Sequence, residues 1–251
     1  MSGYIEDIGG PLTGTYGQYI EDNNVPSSFN GNFGGLFTGV LQYLRSDLGL
    51  GKTGSIVNTW ADQSGNGVNV TEGIPTVGIG TVTTGLNSHA GIAGGTGGQY
   101  GNFILDFVAP GTTPIFFWGV IRLISTSAQG WLTGSQSAAA VIYNTGANAT
   151  GYNTNSVAVA ETVGAWGRIE CAFTGSTSDY IKFGSAITSG STFGNIDPLP
   201  SRGLFATAVF GTNPGNYEVL TLVTLNNVPS LAQLNAASAA AQTFYGVSVS
   251  V

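Results

Sequence analysis

Glycine fills 40 of the 251 positions, where ordinary usage would give roughly 18. Glycine weakens the interior of a helix or a strand and suits the turn between elements. A chain this rich in it, with short apolar runs between the glycines, is built from many short strands joined by tight turns. The 40 glycines and 9 prolines stay below the share that marks a disordered chain.

The apolar runs support an all-β reading. Residues 114–123, with Ile115, Phe116, Phe117 and Trp118 in succession, read as a central strand buried on both faces. Residues 166–173 alternate large apolar with other side chains, the pattern of a half-buried strand. Further strands are expected at 103–108, 139–143, 156–160, 180–183, 204–210 and 219–225, with turns at Ser64-Gly65-Asn66-Gly67, Asn144-Thr145-Gly146 and Asn213-Pro214-Gly215. One segment reads as helix. Ser230 is placed to cap its start, an alanine-rich stretch follows, and Gly246 is placed to end it. Leu231, Leu234 and Phe244 are expected to form its apolar side.

Charge excludes some partners. The net charge is −7. The six basic residues, Arg45, Lys52, Arg122, Arg168, Lys182 and Arg202, are scattered. Nucleic acid demands clustered cations, and an anionic membrane surface asks for the same. Neither is expected as a partner. The apolar run 115–124 contains Arg122 and is too short to cross a bilayer. The start of the chain lacks the basic and apolar regions of a secretory signal, so Asn69-Val70-Thr71 and Asn148-Ala149-Thr150 are not read as glycosylation sites. Synthesis in the cytoplasm is expected, with any exit as part of a particle. Few charges and much Gly, Ser, Thr and Asn suit an assembled or particle-bound protein.

Catalytic and metal chemistry find little support. Cys171 is the single cysteine and reads as a small core residue. His89 is the single histidine and reads as a loop residue, and zinc would need more ligands than these two. Glycoside hydrolysis uses a pair of carboxyl groups held close together. Glu6, Glu21, Glu72, Glu161, Glu170 and Glu218 have no acid two or four residues away, so a glycosidase is the least favoured reading. Residues 94–98 are glycine-rich but lack the lysine of a phosphate loop. No cofactor is expected.

One stretch carries more information. Trp60 supplies a large apolar anchor. Asp62 and Ser64 are suited to bond nearby backbone N–H groups. Gly65 and Gly67 allow positive φ, Asn66 lies between them, and Asn69 is placed to tie the far side. A structural turn is the first reading. A calcium site of Asp62, Asn66 and backbone carbonyls is the second, with few local carboxylates to serve it.

The segment Tyr43-Leu44-Arg45-Ser46-Asp47-Leu48-Gly49-Leu50, followed by Val57-Asn58-Thr59-Trp60-Ala61-Asp62-Gln63-Ser64-Gly65-Asn66-Gly67-Val68-Asn69, resembles the opening signature of the concanavalin A-like (laminin-G-like) jelly-roll domains. Such domains are found on phage particles and bacterial surface proteins. Gly164-Ala165-Trp166-Gly167-Arg168-Ile169 and the hairpin at 174–185, with Gly184-Ser185 in place of the family's Asn-Gly, extend the likeness. So do Gly215-Asn216-Tyr217-Glu218 and the closing Phe244-Tyr245-Gly246, and the whole spans roughly 40–246.

The resemblance implies a two-sheet antiparallel jelly-roll sandwich with one short C-terminal helix. Residues 36–251 would form it. Residues 1–35, in which Tyr4-Ile5-Glu6-Asp7 recurs as Tyr19-Ile20-Glu21-Asp22, would be an N-terminal arm, either loosely ordered or ordering on a neighbour. The functional expectation is a non-enzymatic virion protein displayed on a phage particle, a capsid decoration or head-fibre-like protein. Capsid proteins would be met through the arm, and a homo-oligomer, a trimer, is expected. The alternative is a glycan-binding module of a tail-fibre or receptor-binding apparatus, meeting a host surface glycan. Trp131, Tyr143 and Tyr152, in or near loops, are the candidate sugar platform, with packing as the competing role for each.

Overall fold

A computed structural model of the chain describes residues 29–72, 78–94, 101–104, 114–126, 131–135, 141–145, 147–152, 156–174, 179–189, 201–205 and 216–247. The Tyr-Ile-Glu-Asp repeat, the glycine-rich segment from residue 95 on and the turn at 213–215 lie outside them. The strands are β1 (Val40–Arg45), β2 (Leu50–Thr53), β3 (Ile56–Trp60), β4 (Val70–Glu72), β5 (Gly80–Leu86), β6 (His89–Ala93), β7 (Gly101–Ile104), β8 (Ile115–Leu123) and β9 (Trp131–Ser135). They continue with β10 (Val141–Thr145), β11 (Asn148–Tyr152), β12 (Ser156–Ala160), β13 (Trp166–Phe173), β14 (Tyr180–Phe183), β15 (Ala186–Ser189), β16 (Ser201–Leu204) and β17 (Tyr217–Leu225). Helix α1 (Leu231–Tyr245) closes the chain.

Every ladder is antiparallel. One sheet runs β1–β17–β8–β13–β14–β15. The other runs from β2 and β3 through β4, β7, β16, β9, β10 and β11 to β12. The β5–β6 hairpin links the two by pairing with β3 and with the start of β17. The fold is an all-β antiparallel sandwich with, among the described residues, one α-helix, which follows the last strand.

Alternation along the strands builds two cores. Ile115, Phe117, Ile121 and Leu123 of β8 and Ile169, Cys171 and Phe173 of β13 face the second sheet, where they meet Val57, Trp60, Val70, Leu132, Ile142 and Leu204. Phe116, Trp118 and Val120 face the other way and pack under α1 with Leu234, Ala237, Ala240 and Ala241. The molecule therefore has three layers, with the first sheet in the middle. This explains the unbroken burial of β17 and the nearly unbroken burial of β8. A bulge between Val219 and Thr221 switches parity, so that Tyr217, Val219 and Leu222 join the inter-sheet core while Leu220, Val223 and Leu225 lie under the helix.

Several expectations are corrected by this third layer. The strand Trp166–Phe173 is buried on both faces, because α1 covers the face that carries Arg168 and Glu170. Leu231 is 72% exposed and does not belong to the helix's apolar side. Leu234 and the half-buried Phe244 do belong to it, together with Ala237, Ala241 and Tyr245. His89 is no loop residue. It opens β6, with its ring centroid 4.4 Å from that of Phe244. β16 ends at Leu204, where the strand 204–210 had been expected to start, and Phe205 turns the backbone with φ 63°; residues 206–210 are outside the described set. Phe33, inside the 1–35 segment read as an arm, is fully buried, stacked 5.4 Å from Tyr245 and 5.3 Å from Trp118.

The helix ends follow their sequence. The Ser230 side chain accepts from the Gln233 N–H, Gln233 Oε1 accepts from the Ser230 N–H, and Gly246 is left-handed with φ 67°. Ser230→Ala is expected to cost about 1 kcal/mol, read as a lower urea midpoint with an unchanged slope.

Candidate functional site

The turn after β3 is organised by one carboxylate. Asp62 Oδ1 accepts from the Tyr43 N–H at 2.8 Å and the Ser64 N–H at 2.9 Å. Asp62 Oδ2 accepts from the Ser64 hydroxyl at 2.7 Å and the Val68 N–H at 3.1 Å. Asn69 Oδ1 accepts from the Asp62 N–H at 2.9 Å, and the Asn66 amide donates to the Val40 carbonyl at 2.7 Å. Gly65 and Gly67 take φ of 89° and 74°, values a larger side chain resists. Trp60 is fully buried and donates its indole N–H to the Arg45 carbonyl at 3.0 Å. Both Asp62 oxygens are thus occupied by four protein donors. That arrangement clamps the turn onto β1 and leaves the carboxylate engaged, against its use as a calcium ligand.

The buried acids lie apart, each with its own partner. Glu170 pairs with Arg168, Oε1 to Nε 2.7 Å, and an Arg168 Nη1–H donates to the Ser238 hydroxyl of α1. Glu218 accepts from Arg122 at 2.5 Å and from the Thr83 hydroxyl. Glu161 is 5% exposed and accepts from the Tyr217 hydroxyl at 3.0 Å. Burial raises the Glu161 carboxyl to about 8, with the Tyr217 hydrogen bond opposing. Burial also pushes the Cys171 thiol well up, away from a nucleophilic thiolate. Among the described residues no three or more His, Cys, Asp or Glu side chains gather.

The three aromatic candidates come together in the backbone register. Tyr143 of β10 pairs with Trp131 of β9, and Val141, two residues before Tyr143, pairs with Tyr152 of β11. Positions 131, 143 and 152 are therefore neighbours on three adjacent strands, across a register shift between Ile142 and Tyr143. Their side chains lie outside the described residues. The sequence reads these three residues as one platform in or near loops; the structure places each on a strand, β9, β10 and β11.

No family model and no curated protein matches the chain. Solved structures do. A structure of botulinum neurotoxin type C, whose cell entry depends on interaction with two ganglioside molecules, superposes with a TM-score of 0.53 at 10% identity, covering 78% of this chain and 50% of that one. The botulinum neurotoxin serotype G binding domain gives 0.55 at 10% identity, covering 83% and 54%. The serotype D ligand-binding domain in complex with N-acetylneuraminic acid gives 0.53 at 9% identity, covering 78% and 50%. The chain spans about half the length of these neighbours. At such identity the likeness is one of fold. It gives the class as an antiparallel β-sandwich, the fold these solved structures share.

Proposed function

We propose that this chain is a non-enzymatic glycan-binding module. The observation that carries the reading is the shared sandwich: the similar structures include neurotoxin binding domains, one of them in complex with N-acetylneuraminic acid. The separate protein partners of Glu161, Glu170 and Glu218 support it. So does the nearness of positions 131, 143 and 152, since aromatic rings with one polar end are favoured where a surface binds a partner. For its setting we propose the virion that the opening signature implies, with the N-terminal arm, residues 1–35, meeting capsid proteins and the chain assembling as a homo-oligomer. The structural neighbours favour receptor binding over capsid decoration. Mass spectrometry of purified particles checks the setting, which fails if the chain is missing.

A glycan array checks the function. The wild-type chain is expected to bind a restricted set of glycans saturably. Trp131→Ala and Tyr152→Ala are each expected to weaken that binding about tenfold, the equivalent of about 1.4 kcal/mol. A wild-type chain that binds no glycan would refute the proposal.

A further inference from the structure

The two halves of the opening signature meet around one cleft. Backbone bonds hold them together: the Ala61 N–H donates to the Gly49 carbonyl at 2.8 Å and the Gln63 N–H to the Tyr43 carbonyl at 2.7 Å. The cleft measures about 220 Å³ and is lined by Asn30, Asn32, Tyr43, Arg45, Leu48 and Gln63. Asp62, Trp60 and Asn69 account for the turn. They leave unexplained why Gln63, Leu48 and Arg45 stand where they do.

The walls are fixed in advance. Arg45 donates from Nε to Asp47 Oδ1 at 2.6 Å and from Nη1 to the Asn30 carbonyl at 2.9 Å, with its guanidinium 5.2 Å from the Phe244 ring centroid. Gln63 Nε2 donates to the Ala61 carbonyl at 2.8 Å. Glycine makes room behind both. A Cβ at Gly49 would lie 2.6 Å from Gln63 Nε2, and one at Gly31 would collide with Arg45 and with Phe244. Both glycines have positive φ, 69° and 81°. Leu48, 37% exposed, supplies an apolar patch beside these polar groups.

We infer that this cleft is a subsite for a single neutral sugar ring, its hydroxyls met by Arg45 and the Asn30, Asn32 and Gln63 amides and its apolar edge by Leu48. The inference rests on the proposed function and gives that function a site separate from positions 131, 143 and 152. Three features select the ligand class. Amide side chains both donate and accept, as sugar hydroxyls do. Asp47 neutralises Arg45, the one charged residue lining the cleft, so an anion gains no net attraction. At about 220 Å³ the cleft lies below the ~300–1,000 Å³ of sites for drug-sized ligands, so it suits a small one.

The test is saturation-transfer NMR and titration of the full chain with glucose, galactose, mannose, N-acetylglucosamine and N-acetylneuraminic acid. The variants are Gln63→Ala and Leu48→Glu, and their folding is checked by circular dichroism. At least one neutral sugar is expected to bind, with affinity reduced at least fivefold in each variant and no advantage for N-acetylneuraminic acid. Binding unchanged in both variants overturns the subsite. If that same binding is lost in Trp131→Ala, the proposed function survives without the cleft. A wild-type chain that binds none of the four neutral sugars also overturns the subsite, and the glycan array then judges the proposed function separately.

Discussion

Replacing Asp62 by alanine is expected to lower the stability of the domain by about 3 kcal/mol. The side chain accepts four hydrogen bonds, from the Tyr43, Ser64 and Val68 N–H groups and the Ser64 hydroxyl. Bonds to a charged acceptor contribute about 1.5–3 kcal/mol each when buried. Asp62 is half-buried, and water replaces part of the loss. The Tyr43 bond matters most, because it ties the turn to β1, which in turn pairs along β17. Asp62→Asn keeps one accepting oxygen but turns an NH₂ group toward other donors, so roughly half the loss is expected. Urea unfolding measures both. Added calcium is expected to restore neither variant and to leave the wild type unchanged. A wild type that gains stability with calcium would contradict the structural role of this turn.

The second large effect is a dependence on pH. Burial raises the Glu161 carboxyl from 4.5 to about 8 in the folded chain. A raised folded value means that the protonated form is the one the fold prefers. Its stabilisation is complete below about pH 4.5, declines as pH climbs toward 8, and is gone above it. At about 1.4 kcal/mol for each pH unit in that window, the ceiling is about 5 kcal/mol, and an observed loss of a few kcal/mol is expected. The geometry agrees: Oε2 accepts from Tyr217, while Oε1 has no partner and suits a proton. Glu161→Gln keeps the acceptor and removes the titration. The wild type is expected to unfold at lower urea at pH 8.5 than at pH 5, and the glutamine variant to show a flatter profile over the same range. Equal slopes for the two chains would contradict this assignment.

The elements most legible in the sequence were those whose local chemistry and tertiary role agree. The run 115–118 forms the first half of β8 because every residue there is buried on one face or the other. Ser230, the alanines and Gly246 bound α1 as their propensities require. The Gly184-Ser185 hairpin forms as a two-residue turn, Phe183 pairing with Ala186. Local pattern failed where a polar residue was buried with a partner. Arg168 and Glu170 look like solvent-facing positions of β13, yet they form an ion pair beneath the helix. Phe33 sits among asparagines and glycines that carry no periodicity, so nothing nearby announced that Tyr245 and Trp118 would enclose it. The cleft at Arg45 was equally hidden: Tyr43, Arg45, Leu48 and Gln63 were all within recognised motifs, but their convergence depends on how β1 and the turn after β3 lie together.

The central claim is that this sandwich binds sugar and leaves it intact. Incubating the wild-type chain with a glycan captured from the array, while following chain-bound sugar and newly released reducing ends together, tests it most directly. Saturable occupancy with no new reducing ends is the predicted result. Accumulation of cleaved product, or no occupancy at any glycan concentration, would contradict it.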